Sequence, residues 1–177
     1  MEILMIRFWM IFSFLSLFIH AEDNILLNSH IKMIPKIMVL DLNAGTKSGN
    51  AILAIVCESN RKGFAQNIAD EINQKYNGKV GNLNFTAIAL TVDELLSRND
   101  LAFVYLTSIN NRSVDKISSW GISNSIPIFS YNVSDLDHGV LGSIAIERST
   151  VIYINKSVLK EGKFRFNDAL FQLARLI

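Results

Sequence analysis

Three short polar stretches hold the side chains best suited to grip a ligand. They are Glu58-Ser59-Asn60-Arg61-Lys62-Gly63, Thr107-Ser108-Ile109-Asn110-Asn111-Arg112-Ser113 and Ser130-Tyr131-Asn132-Val133-Ser134-Asp135. Each is rich in Ser and Asn and includes a potential helix N-terminus, where backbone N–H groups and hydroxyls can bind an anionic or polar group. Ser59, Asn60, Arg61, Ser108, Asn110, Ser130 and Asn132 are the candidate ligand-binding residues. The same residue types also cap helices for a purely local purpose, so capping stands beside binding as a reading of these loops.

Groups able to do covalent chemistry are sparse. Past the first 21 residues the histidines are His30 and His138. Asp135, Asp137 and His138 carry metal-ligating side chains, but a metal site wants three or four ligands, usually with two closely spaced on one element. Neighbouring residues of one loop rarely all point inward. No G-x-S-x-G occurs, and no serine has an evident base and orienter in the sequence. Cys57 closes an apolar run. It is either a buried, inert thiol or one activated by the following helix N-terminus and Arg61. Gly78-Lys79-Val80-Gly81 lacks the spacing of a phosphate loop. The Asn-x-Ser/Thr triplets at Asn84, Asn111, Asn132 and Asn155 read as chance matches in an Asn-rich chain. The expectation is a protein that is not an enzyme and uses no metal or cofactor.

Regular elements must bring the three loops together. Ala51–Cys57 (AILAIVC) is a continuous apolar run, as expected of a strand buried on both faces. Phe64, Ala65, Ile68, Ala69 and Ile72 recur at helical spacing over 61–76, with Ser59 or Asn60 able to cap the start and Asn77-Gly78 to end it. A strand over 84–90 leads into Thr91-Val92-Asp93-Glu94, a capping box opening a short helix over 92–97. A strand over 101–106, a helix from Ser113 to about Trp120 stopped near Gly121, and a strand over 126–131 follow. Residues 143–147 and 150–155 alternate strictly about Arg148-Ser149, the pattern of a hairpin. Asn167 caps a last helix with Leu170, Phe171, Leu173, Ala174 and Ile177 on one side. Before all of these, residues 24–40 show helical apolar spacing, with Pro35 expected to kink or divide the helix. Strands alternating with helices predict right-handed crossovers. The expected fold is three-layer α/β: a mostly parallel sheet with an antiparallel C-terminal hairpin and helices on both faces. In such a sheet ligands bind beyond the carboxyl ends of the strands, where the three polar stretches converge.

The chain of 177 residues is 50% hydrophobic with a mean hydropathy of +0.28. The excess sits at the start. Arg7 precedes an apolar run, Phe8–Ile19, of about 12 residues, too short for a bilayer that needs about 20. Ile19-His20-Ala21 then offers a small residue for cleavage, the pattern of a secretory signal. Residues 1–21 are therefore read as a signal peptide and 22–177 as one domain, with the periplasm as destination. An uncleaved anchor or a buried first helix is the alternative. The formal net charge of +1 and the absence of a Lys/Arg cluster argue against nucleic-acid or anionic-membrane binding. A domain of this size buries about 70% of its unfolded surface and does not depend on disulfides, consistent with a single cysteine.

The last third carries a family resemblance. Ser130-Tyr131-Asn132-Val133-Ser134-Asp135, then Leu141-Gly142-Ser143-Ile144, Val151-Ile152-Tyr153-Ile154-Asn155 and the ending Ala169-Leu170-Phe171-Gln172-Leu173-Ala174-Arg175-Leu176-Ile177 resemble the YfiR-like family of small periplasmic proteins. There, a glycine-containing strand and an "-I-N-" strand precede a leucine- and alanine-rich terminal helix. The chain departs from the family at Asp41-Leu42-Asn43, where a Trp-Pro is usual, and at Leu101-Ala102, where a second cysteine is common. The family's disulfide-based redox control is therefore not carried over. The resemblance implies a regulator that binds an inner-membrane signalling protein, such as a diguanylate cyclase, and holds it inactive by population shift. Ile25, Leu26, Ile31, Met33 and Met38 of the first helix are the candidate partner-binding residues, and a homodimer is also open; covering the sheet is their other reading. The competing function is a small-molecule-binding module related to one lobe of solute-binding proteins, with a small polar ligand in the three loops.

Overall fold

The computed structural model describes residues 25–44 and 49–177. The expected signal peptide, 1–21, lies outside them. Among the described residues no helix is long and apolar enough to cross a membrane.

Helix α1 occupies residues 25–38. It is followed by β1 (Ala51–Cys57), α2 (Lys62–Tyr76), β2 (Lys79–Val80), β3 (Leu83–Thr91), α3 (Val92–Leu96), β4 (Phe103–Leu106), α4 (Asn111–Asn124) and β5 (Ile128–Ser130). The chain then runs through β6 (Gly142–Ile146), β7 (Thr150–Ile154), α5 (Lys156–Glu161), α6 (Asp168–Leu173) and β8 (Ala174–Leu176). One sheet holds all eight strands in the order β2-β3-β1-β4-β5-β6-β7-β8. Strands β3, β1, β4, β5 and β6 are parallel, while β2 pairs antiparallel with β3, and β7 with β6. The expected α/β class with a mostly parallel sheet and an antiparallel hairpin is the observed one.

The period of two along the central strands divides the core. Leu53, Ile55, Cys57, Phe103 and Tyr105 point to the face covered by α1 and α2. Ala54, Val56, Val104 and Leu106 point to the opposite face, against Leu95, Val114, Ile117 and Leu136. Both faces are dry, which is why AILAIVC reads as an unbroken apolar run. Helix α1 lies over the first face. His30 meets the Ile144 carbonyl of β6 at 2.9 Å, and the Tyr76 hydroxyl of α2 donates to the Lys32 carbonyl at 2.6 Å.

Four local expectations are corrected. Helix α1 is not divided at Pro35, which is buried and inside the helical run. Helix α4 passes Gly121 and ends at Ser125, whose left-handed φ of 52° lets its N–H reach the Gly121 and Ile122 carbonyls. Gly121 serves packing instead: a Cβ there would stand 2.3 Å from Ile128 Cδ1. The last helix stops at Leu173, and the residues after it turn into β8, parallel to β7. Pairing there satisfies backbone groups at the β7 edge, with the Ile177 N–H donating to the Ile154 carbonyl at 2.9 Å. Finally, neither Ser59 nor Asn60 caps α2. With Arg61 they form a 3-10 turn, and α2 starts at Lys62 with Arg61 at the cap position and no side-chain cap.

Candidate functional site

The chain leaves β1 through α2 to reach β3 on one side, and returns through α3 to β4 on the other. The sheet therefore splits its crossovers between β1 and β4, and a crevice opens at their carboxyl ends. A cavity of about 340 Å³ occupies that crevice. Its floor and walls are Tyr105 of β4, Tyr131 after β5, Phe64 and Ile68 of α2, and Leu27 of α1; its polar rim is Arg61, Thr107, Ser108 and Asn132.

The sequence-derived candidates divide sharply. Arg61, Ser108 and Asn132 come together on this cavity. Ser59 turns to the other face of the sheet, into a groove shared with Glu58, Val92, Asp93, Arg112, Ser113 and Lys116. Asn60 is exposed and lines neither. Asn110 is taken by capping: its side chain accepts from the Ser113 N–H at 3.0 Å and donates to Glu58 Oε1 at 2.5 Å. Ser130 is fully buried, donates to Asp135 Oδ2 at 2.5 Å and accepts from the Asn132 N–H at 3.2 Å. It shapes the turn that presents Asn132 rather than facing the cavity.

Arg61 lies over the Phe64 ring, its guanidinium carbon 4.9 Å from the centroid. Thr107 is held by its hydroxyl donating to the Val56 carbonyl at 2.9 Å, which ties the β4 end to the β1 end. The deeper wall is unusual. Tyr105 is 1% exposed, and its hydroxyl has no hydrogen-bond partner among the described residues. Beside it, 5.5 Å between ring centroids, sits His30, which is 5.2 Å from the Tyr131 ring. A carbonyl can only accept, so the contact with Ile144 places the proton on Nε2 and leaves Nδ1 an acceptor. That Nδ1 is buried as well, and has no partner among the described residues. Burial drives the His30 imidazole down to about 4, only partly offset by the Ile144 carbonyl, so the ring is neutral at pH 7. Burial also pushes the Tyr105 phenol up, keeping it protonated.

Sequence reading did not single out Leu27, Phe64, Ile68, Tyr105 or Tyr131 as ligand contacts. Their signal was weak, because each also fits the core pattern of its element. Two tyrosine hydroxyls at the carboxyl ends of buried strands were the available hint, since a buried phenol ordinarily finds a partner.

Other candidates are engaged elsewhere. Ile31 and Met38 are 2% and 0% exposed in the core under α1, so they form no exposed face; Ile25 is exposed, and Leu26 and Met33 are half-buried. The α1 stripe facing the sheet takes Ile31 and Met38, as helical spacing from His30 through Ile34 and Ile37 requires. His138 Nδ1 meets Asp115 of α4 at 2.8 Å while Asp135 turns inward to Ser130, so the loop's ligating groups diverge. Among the described residues no three His, Cys, Asp or Glu side chains could hold a metal. Cys57 is buried against the Leu90 carbonyl, and burial raises its thiol. It does not project into the first loop.

No family model matches this sequence, and no curated protein matches it. Solved structures share the fold. A conserved domain protein from Vibrio cholerae O1 biovar El Tor superposes with a TM-score of 0.58 at 10% identity, covering 85% of this chain and 59% of the other. The ABC domain from Streptococcus pneumoniae in complex with L-Trp gives 0.51 at 13% identity, covering 80% and 60%. The chain thus spans about three fifths of the length of each, and what it shares with them is the α/β architecture.

Proposed function

We propose that this chain is a small-molecule-binding module that takes its ligand in the crevice beyond β1, β4 and β5, and that it binds without turnover. The observation that carries the reading is the cavity itself: among the described residues it has an aromatic wall, a polar rim with one cation, and a buried tyrosine hydroxyl without a partner. Buried polar groups without partners cost about 1–3 kcal/mol each, so a site that keeps one suits a ligand that supplies the partner. The likeness to a domain that binds L-Trp adds support at the level of fold. Repression of an inner-membrane sensor, the role implied by the YfiR-like resemblance, takes second place, because two of the five residues it needs on the surface lie in the core.

Thermal denaturation against a panel of small metabolites, L-tryptophan among them, tests the proposal. A ligand at about 100 times its Kd stabilises by about 2.7 kcal/mol, and the effect grows with concentration. A panel in which no compound moves the melting temperature removes the reading.

A further inference from the structure

The chemistry of the cavity narrows what it takes, given that it is a binding site. Arg61 is the one charged side chain among the described residues that line it. It lies over Phe64, with no ion pair among the described residues. Helix α2 begins at the same place, since Arg61, Phe64 and Ile68 all line the cavity, and it begins without a side-chain cap. A fifteen-residue helix whose first N–H groups lack a side-chain cap presents a partial positive charge. An anion is favoured there, whereas an ammonium would be desolvated without a counter-charge.

Beyond Arg61 the lining of the cavity is largely aromatic, from Phe64, Tyr105 and Tyr131. At about 340 Å³ it stands at the low end of ligand cavities, which run from about 300 to 1,000 Å³. That volume suits one substituted ring and is too small for a nucleotide. Independently of the helix start, the buried Tyr105 hydroxyl lacks a partner among the described residues.

We infer that the cavity takes a small aromatic monocarboxylate whose carboxylate lies at Arg61 and the start of α2, whose ring lies against Phe64 and Tyr131, and whose polar substituent meets the Tyr105 hydroxyl. Tyr105 is then a specificity-determining residue, because a hydroxyl built to be paired rejects the analogue that cannot pair it.

Calorimetric titration of the purified protein with 4-hydroxyphenylacetate, phenylacetate, tyramine and L-tyrosine tests this inference. The expected order places 4-hydroxyphenylacetate first, phenylacetate about tenfold weaker for one lost hydrogen bond, and tyramine weakest. L-Tyrosine falls below 4-hydroxyphenylacetate because its ammonium has no counter-charge. Tyr105→Phe should abolish the gap between the two acetates while leaving phenylacetate unchanged, and it removes an unpaired hydroxyl, so the variant folds. Arg61→Gln should weaken both acetates about tenfold and leave tyramine no weaker, since it removes a like charge. Tyramine binding as tightly as 4-hydroxyphenylacetate overturns the inference, as does a gap that survives in Tyr105→Phe. If none of the probes binds but the wider metabolite panel yields a stabilising compound of other chemistry, the ligand class is wrong and the binding site stands. If neither binds, both fall.

Discussion

At the carboxyl ends of the same strands, the two faces of the sheet treat similar loops in opposite ways. On the α3–α4 face the polar side chains are spent locally. Thr91 and Glu94 close a reciprocal capping box, Asn110 caps α4, and Glu58 accepts from both the Asn110 backbone and side chain. Lys62 reaches across to Glu94 at 2.5 Å and, with the Thr91 N–H, holds its carboxyl down to about 2. On the α1–α2 face the helix start has no side-chain cap, and the Tyr105 hydroxyl and His30 Nδ1 lack partners among the described residues. A Ser/Asn-rich loop is therefore no indicator of a site. What separates a site from a cap is whether the donors and acceptors it presents are already paired.

The largest expected effect concerns the unpaired side. His30 titrates near 4 in the folded protein against an ordinary 6.5. The unfolded chain takes up the proton first as the pH falls. The stability that a neutral His30 contributes is therefore full above about 6.5 and lost progressively down to about 4. The span corresponds to about 3 kcal/mol at its lower end. Urea denaturation near neutrality and again near pH 4.5 should show that loss, and His30→Leu should flatten it. An unchanged pH slope in the variant would mean that the imidazole is not the group held neutral.

Next in size is a substitution on the paired side. Gly121 lets α4 approach the sheet so closely that an added Cβ meets Ile128 Cδ1 at 2.3 Å and the Ile126 carbonyl at 3.0 Å. Gly121→Ala should destabilise by about 2 kcal/mol through overpacking, despite the better helix propensity of alanine. Ligand affinity should be unaffected, because this overlap lies on the face away from the cavity. A gain in stability would show that the helix shifts outward freely and that the α3–α4 face is loosely packed.

Much of this architecture was legible in the residues. The runs that became β1, β3, β4 and β5 are apolar on both faces because helices cover both, and the Thr91-x-x-Glu94 box announced α3. The three polar loops follow β1, β4 and β5 at the same end of the sheet, as alternation of strands and helices implies for parallel strands, but of the seven candidates in them Arg61, Ser108 and Asn132 reach the cavity. What stayed hidden depends on contacts distant in sequence. Leu-Ala-Phe-Val-Tyr-Leu does not reveal that Tyr105 lines a cavity, because the cavity takes shape only once α1 brings Leu27, and α2 brings Phe64 and Ile68, over that face. By sequence Ala174–Leu176 continues the amphipathic stripe of the last helix, which hides strand β8. It becomes a strand because β7 offers an open edge, and because Arg175 bonds Glu147 at 3.0 Å and the Tyr153 hydroxyl at 2.8 Å.

The caps themselves offer a finer comparison. Asn110→Ala removes the acceptor for the Ser113 N–H and the donor to Glu58, and should cost about 1 kcal/mol, the usual worth of such a cap. Equilibrium unfolding of the variant, at unchanged ligand affinity, checks this. A loss below about 0.3 kcal/mol would mean that water replaces the side chain and that the α4 start is no more satisfied than the α2 start.

The smallest effect is the one that isolates the uncapped helix. Asn60 has the residue type of a cap and stands one residue before Arg61, the cap position of α2, yet it is exposed in a 3-10 turn and α2 has no side-chain cap. Asn60→Ala should therefore change stability by less than about 0.5 kcal/mol, as for a surface residue without partners. It should also leave ligand binding intact, since Asn60 does not line the cavity while Arg61, one residue on, does. A loss of about 1 kcal/mol would place the Asn60 side chain on the α2 N–H groups in solution. Those groups would then be filled from within the chain, and the α1–α2 face would hold no more positive potential for an anion than the face behind it.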